Sequence, residues 1–163
     1  MKISAMTKKC NKIGIDFHGV INTNPVFFKD LANAFLQQHI SIHIISGGPS
    51  DYIGEYLRKY HIPYTQIWCI YDYYDNKGLI TTRDDGSFYM DDELWNKAKA
   101  DYCRQNAICL QIDDSSVYGT YFTTPYCQYH SGTRTGILSG HQITFSGQAE
   151  LCVKQLLDIL AEN

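Results

Sequence analysis

Four residues able to do polar chemistry stand at the ends of short apolar runs: Asp16 in KIGIDF, Ser46 after ISIHII, and the pair Asp113 and Asp114 after AICLQI. A carboxylate at a strand tip can attack phosphorus and form an aspartyl-phosphate. Adjacent carboxylates at a strand end point in alternating directions. One of Asp113 and Asp114 then faces the site and holds Mg²⁺, a hard cation that prefers oxygen, while the other contacts its water shell or structures the loop. Ser46, with Gly47 and Gly48 behind it, supplies a hydroxyl and exposed amides for phosphate oxygens, and the N-terminus of the next helix adds a favourable dipole. His18 lies two residues beyond Asp16, where an imidazole can protonate a leaving oxygen. Gly19 allows close backbone approach to a ligand.

Such a site also needs a cation to offset the charge on nucleophile and phosphate. The helical segment 93–105 (ELWNKAKADYCRQ) carries two lysines. Trp95, Lys99 and Tyr102 share one face at i, i+4 and i+7, and Lys97 points about 160° away from Lys99. If Trp95 and Tyr102 face a sheet, Lys99 is the inward lysine; Lys97 is the alternative.

The elements that must position these groups follow from hydrophobic patterning. Apolar runs at 12–17, 40–45, 66–70 and 107–112 read as buried strands, and 26–38, 51–60, 93–105 and 148–161 as helices. Ser50 is the expected cap of the second helix, and Ser146 or Gly147 of the last. The alternation of strand and helix predicts an α/β fold, a three-layer Rossmann-like parallel sheet flanked by helices. Ligands in such sheets bind beyond the carboxyl ends of the strands, where strand order reverses. Residues 71–93 break the rhythm. Asp85-Gly86, between LITT and SFYM, predicts a short β-hairpin insertion. VYGTYF (117–122) reads as a fifth strand and HQITF (141–145) as a sixth, with little periodicity over 123–140. No linker or repeat divides residues 1–163, so a single domain is expected.

The 163 residues are 44% apolar and 19% charged, with a formal net charge of −3. These values are ordinary for a globular chain, and no basic run exists to gather nucleic acid or an anionic membrane. No apolar stretch approaches the roughly 20 residues of a membrane span, and the short run after the N-terminal segment does not resemble a signal core. The six cysteines form no CxxC pair, and Cys69, Cys109 and Cys152 lie in apolar runs. Buried free thiols and a cytoplasmic location are expected. His43 reads as structural and His61 as a loop residue. The thirteen tyrosines, clustered at 71–74 and 118–129, suit packing or an aromatic rim around a site.

Taken together, IGIDFHGVI (13–21), IHIIS (42–46), Lys99 or Lys97, and LQIDD (110–114) resemble, in order and spacing over about residues 12–118, the four motifs of the haloacid dehalogenase (HAD) superfamily of phosphohydrolases. The resemblance implies Asp16 as nucleophile and Mg²⁺ ligand, the carbonyl of His18 completing the metal site, Asp113 as the further ligand with Asp114 in support, and a small phosphorylated substrate. It places the 71–93 hairpin where the superfamily carries a cap, here minimal, leaving an open site. Because the superfamily includes short nucleotidases, it also allows a nucleotidase-like role, with Tyr71, Tyr73 and Tyr74 forming a small pocket for a nucleobase or sugar. His18 replaces the superfamily's second aspartate, its usual proton donor. That departure supports an alternative, a weakened HAD-like domain that binds a phospho-ligand or a protein.

Overall fold

A computed structural model of the chain describes residues 9–162. Residues 1–8, part of the segment over which no signal sequence is expected, and Asn163 lie outside the described residues. Short apolar runs become strands because both sheet faces are covered. They are β1 (Lys12–Ile15), β2 (Ser41–Ser46), β3 (Gln66–Cys69) and β6 (Leu110–Asp113). Between and around them lie α1 (Pro25–Gln37), α2 (Ser50–Lys59), α3 (Ile70–Asp75) and α4 (Asp92–Gln105). The strands β4 (Thr81–Thr82) and β5 (Phe88–Tyr89) form a separate two-stranded ribbon before α4. The chain ends with α5 (Ser116–Gly119), β7 (Tyr126–His130), β8 (Thr135–Leu138), β9 (His141–Thr144) and α6 (Ala149–Ala161).

The central sheet has seven strands in the order β3-β2-β1-β6-β7-β8-β9. The first five run parallel, and β8 and β9 complete it antiparallel. The chain leaves β1 toward β2 and β3, then returns to place β6 on the other side of β1. The β1/β6 boundary is therefore where strand order reverses, the position at which open α/β sheets bind ligands.

Successive strand residues face opposite sides. Ile42 and Ile44, with Ile13, Ile15, Leu110 and Ile112, join one core with α1, α2 and α6, including Phe28, Leu57 and Leu156. Ile45 points the other way and packs with Tyr102 and Cys103 of α4. His43 shares that second face and is structural, its Nδ1 2.8 Å from the Tyr102 hydroxyl. His61 follows α2 in a left-handed backbone conformation, as a loop residue.

The antiparallel half corrects several expectations. Residues 117–122 form no strand. Ser115 accepts a hydrogen bond from the Tyr118 amide, caps α5, and starts a short helix instead. The weakly patterned 123–140 segment contains β7 and β8, while the strand expected at 141–145 is present as β9. The 71–93 segment is not only a hairpin, because α3 follows β3 without a break. The turn at Asp85-Gly86 forms as expected, with Gly86 at φ 85° and the Asp85 carboxylate accepting from the Ser87 amide.

Two caps also differ. Ser50 lies inside α2, whose cap is Pro49, and Gln148 rather than Ser146 or Gly147 precedes α6. Cys109 is not a free thiol. It is disulfide-bonded to Cys10, with Cα atoms 5.6 Å apart, whereas Cys69, Cys103, Cys127 and Cys152 are free and buried. Among the described residues no helix is long and apolar enough to cross a membrane.

Candidate functional site

Asp16 lies one residue beyond β1, and Asp113 is the last residue of β6. Residues two apart share a face, so Gly14 with Asp16 and Gln111 with Asp113 all point toward α4. From that helix Lys99 reaches down, only 2% exposed, with Nζ 3.1 Å from Asp16 Oδ1 and 2.8 Å from Asp113 Oδ2. Of the two candidate lysines it is therefore Lys99 that joins the carboxylates; Lys97 is half-buried elsewhere on the helix. Asp114 completes the group at the solvent edge. Asp16, Asp113 and Asp114 each offer an oxygen within 4.8 Å of the others.

The two buried carboxylates are held from behind. Asp16 Oδ1 accepts from the Phe17 amide at 2.8 Å. Asp113 Oδ1 accepts from the Ser115 amide at 3.1 Å, and its Oδ2 from Gln111 Nε2 at 3.1 Å. Gln111 is fully buried and lies across Gly14, where a Cβ would stand 2.0 Å from its Oε1. Glycine in β1 thus makes room for the side chain that orients Asp113. Gly19 does the same for Asp114. It has φ +81°, and a Cβ there would stand 2.2 Å from Asp114 Oδ2.

Three carboxylates beside one ammonium leave negative charge uncompensated in a place where water screens it poorly. Burial is the largest influence on Asp16. With Asp113 and Asp114 adding to it and Lys99 opposing, its carboxyl is pushed up to about 7. Burial and the neighbouring Asp113 also raise Asp114. Burial works to lower the Lys99 ammonium, but Asp16 and Asp113 outweigh it, raising its pKa and keeping it charged. Like charges crowded in this way are relieved by a divalent cation, and carboxylate oxygens are donors that hard cations such as Mg²⁺ accept. The residues present fit that ion.

Ser46 ends β2, the strand beside β1, so it stands at the same edge. It is completely buried, and its Oγ is the buried side-chain polar atom among the described residues that has no hydrogen-bond partner. A hydroxyl left so costs about 1–3 kcal/mol unless a ligand or water meets it. The structure treats the other expected residues differently. The His18 ring is exposed and lies outside the acidic group, with Nε2 3.3 Å from the Gly48 carbonyl. Since a carbonyl only accepts, Nε2 is the donor in this contact. The Gly47 carbonyl accepts from the Tyr71 amide at 2.9 Å, and the indole of Trp95 covers the glycine. The start of α2 is already occupied by a carboxylate: Asp72 accepts from the Ser50 amide and hydroxyl, both at 2.9 Å.

Several contributors escape a reading of the sequence. Gln111 left one signal, a polar residue inside an apolar strand. Asp72 left none. Tyr118 belongs to the tyrosine cluster at 118–129 that suited packing or an aromatic rim; its ring centroid lies 4.7 Å from Lys99 Nζ and its hydroxyl accepts from Trp95 Nε1 at 2.9 Å. The Tyr126 hydroxyl donates to the Ser115 carbonyl, and burial together with Asp113, Asp16 and Asp114 raises its pKa. Concave regions also lie elsewhere. One of about 550 Å³, between α2 and β3 beside Glu55, Arg58 and Gln66, contains none of the acidic group. Compared with protein-family models, curated proteins and solved structures, the chain matches none.

Proposed function

We propose that the chain is a Mg²⁺-dependent phosphomonoester hydrolase of the haloacid dehalogenase type, working through an aspartyl-phosphate on Asp16. The observation that carries this reading is the meeting of Asp16, Asp113 and Asp114 with the buried Lys99 where strand order reverses. Bound between the carboxylates, Mg²⁺ would neutralise the phosphoryl oxygens and keep the acids ionised. The remaining chemistry belongs to the chain.

Lys99 and the Phe17 amide both hold Asp16 Oδ1, so Oδ2 is the attacking oxygen. A bond forms from Oδ2 to phosphorus as the ester P–O bond breaks, and the leaving oxygen takes a proton from His18. Water then attacks phosphorus, His18 accepts its proton, and the acyl-phosphate P–O bond breaks to restore the carboxylate. Ser46 Oγ donates to a phosphoryl oxygen, which gives the orphaned hydroxyl its partner. For these steps His18 must swing from Gly48 toward the phosphate.

That contact also favours a second reading. With the imidazole turned to a backbone carbonyl and no carboxylate in its place, the same site could retain a phospho-ligand or a protein partner without turnover. Phosphate release from a panel of phosphomonoesters with Mg²⁺ separates the two. Hydrolysis by the wild type that Asp16→Asn abolishes supports the enzyme. Equal inertness of both proteins, with ligand binding retained, supports the binding module.

A further inference from the structure

An unbroken line of aromatic rings runs outward from the Lys99 ammonium. Tyr118 lies against Nζ and holds the Trp95 indole by its N–H. Phe88 of the β4–β5 ribbon packs on Trp95 with centroids 5.4 Å apart, and Tyr71 of α3 on Phe88 at 5.0 Å. The rings of this wall hold one another in place. Trp95 is fixed from three sides, by Tyr118, by Gly47 (whose Cβ would stand 3.1 Å from the indole) and by Phe88. Yet Phe88 remains 41% exposed. A hollow of about 220 Å³ opens between Phe88, Tyr89, Met90, Asp92 and Trp95. It is smaller than the roughly 300–1,000 Å³ of pockets that enclose whole drug-sized ligands, a size suited to one ring system. Trp95 precedes Lys99 by one helical turn, a rise of about 6 Å along the axis, and Tyr118 touches both side chains, which sets the hollow beside the lysine.

Resting on the phosphohydrolase reading, we infer that the substrate's leaving group carries a planar ring system, a nucleobase or a simple aryl group, received by Phe88 and Trp95. Flat rings stack on aromatic side chains largely without regard to their substituents. Asp92, on the lip of the hollow, adds an acceptor for a ring amino group, as adenine presents. The β4–β5 ribbon is then a specificity element, bringing Phe88 to a helix that already carries the lysine of the chemistry.

The test uses the full chain carrying Asp16→Asn, so that substrate persists, and Trp68→Phe. Trp68 and Trp95 are the two tryptophans, so this leaves the Trp95 indole to report alone. Its fluorescence is titrated, with Mg²⁺ present, by adenosine 5′-monophosphate, phenyl phosphate, ribose 5-phosphate and glycerol 3-phosphate. Expected is saturable quenching by one of the two ring ligands, the one whose ring reaches the hollow, at a dissociation constant at least tenfold below those of the two ring-free ligands. Phe88→Ala brings that ratio to within about twofold. Tighter binding of the nucleotide than of phenyl phosphate, lost in Asp92→Asn, identifies the ring as a nucleobase; tighter binding of phenyl phosphate identifies a simple aryl group. If Trp68→Phe does not fold, the same ratios are read by calorimetry on Asp16→Asn alone. Equal affinity for all four ligands, or none for any, overturns the inference. Phosphate release by the wild type is scored separately. Hydrolysis of all four at equal kcat/KM sinks the ring preference but leaves the hydrolase standing, and hydrolysis of none, with the ring preference present in binding, sinks the hydrolase alone.

Discussion

Lys99 sets the charge balance of the site. A side chain only 2% exposed sits between two carboxylates that are themselves almost fully buried. Removing one member of a buried pair leaves the others uncompensated, which typically costs about 3–5 kcal/mol. Lys99→Met is therefore expected to lose stability on that scale in urea unfolding with chelator present. Adding Asp16→Asn to that variant should recover part of the loss, because one of the stranded charges is then gone. Gly19 acts through backbone shape. At φ +81° an alanine is strained by about 1–2 kcal/mol, and its methyl would displace the Asp114 carboxylate. Calorimetric titration of Gly19→Ala is expected to show weakened Mg²⁺ binding. Unchanged affinity would disconnect Asp114 from the cation.

At the scale of elements, α4 is bound to the sheet by a polar latch as well as by its apolar face. His43 of β2 meets the Tyr102 hydroxyl of α4, and burial, with Lys12 adding to it, lowers the His43 pKa from its ordinary value. The unfolded chain takes up this proton near pH 6.5, and the folded chain only at lower pH. Between those values the unfolded state holds more protons, so folding stability rises with pH. The contribution is intact above about pH 6.5 and is lost as pH falls toward the folded value. The stability difference between wild type and His43→Gln, measured in urea at pH 7.5 and again at pH 5.5, should shrink at the lower pH.

The same elements show what the sequence made readable. In the parallel half, apolar strands stop at polar residues and helices follow at regular spacing, so Asp16, Ser46, Asp113, Asp114 and the inward face of α4 could be placed from local pattern alone. The antiparallel half resists such a reading because a glycine inside one of its strands serves packing rather than a turn. Gly136 in β8 resembles a turn former, yet a Cβ there would stand 2.7 Å from Cys127 Sγ and 2.8 Å from the Phe145 ring. Likewise Asp72 acts through Ser50 of another element, and the room for Gln111 comes from Gly14 of β1, relations that no local period records. The Cys10–Cys109 bond spans 99 positions and has the same opacity.

For the molecule as a whole, a cation held by the folded state alone stabilises it by mass action. At a hundred times its Kd the gain is about 2.7 kcal/mol. For a chain of this length that is a rise in Tm of roughly 5–10 °C. Thermal scans with Mg²⁺ against chelator should show this shift in the wild type and lose it in Asp113→Asn. No rise in the wild type would mean that the acidic group does not hold Mg²⁺.

The reversal of direction at β8 has a practical outcome. Because β8 runs against β7, the hairpin tip at Ser139-Gly140 emerges on the rim opposite Asp16 and Asp113, and a Cβ at Gly140 would meet nothing within 4 Å. Exposed tips of this kind tolerate added chain. A surface tether or fluorescent label grafted there would leave the opposite rim open to whatever the molecule binds.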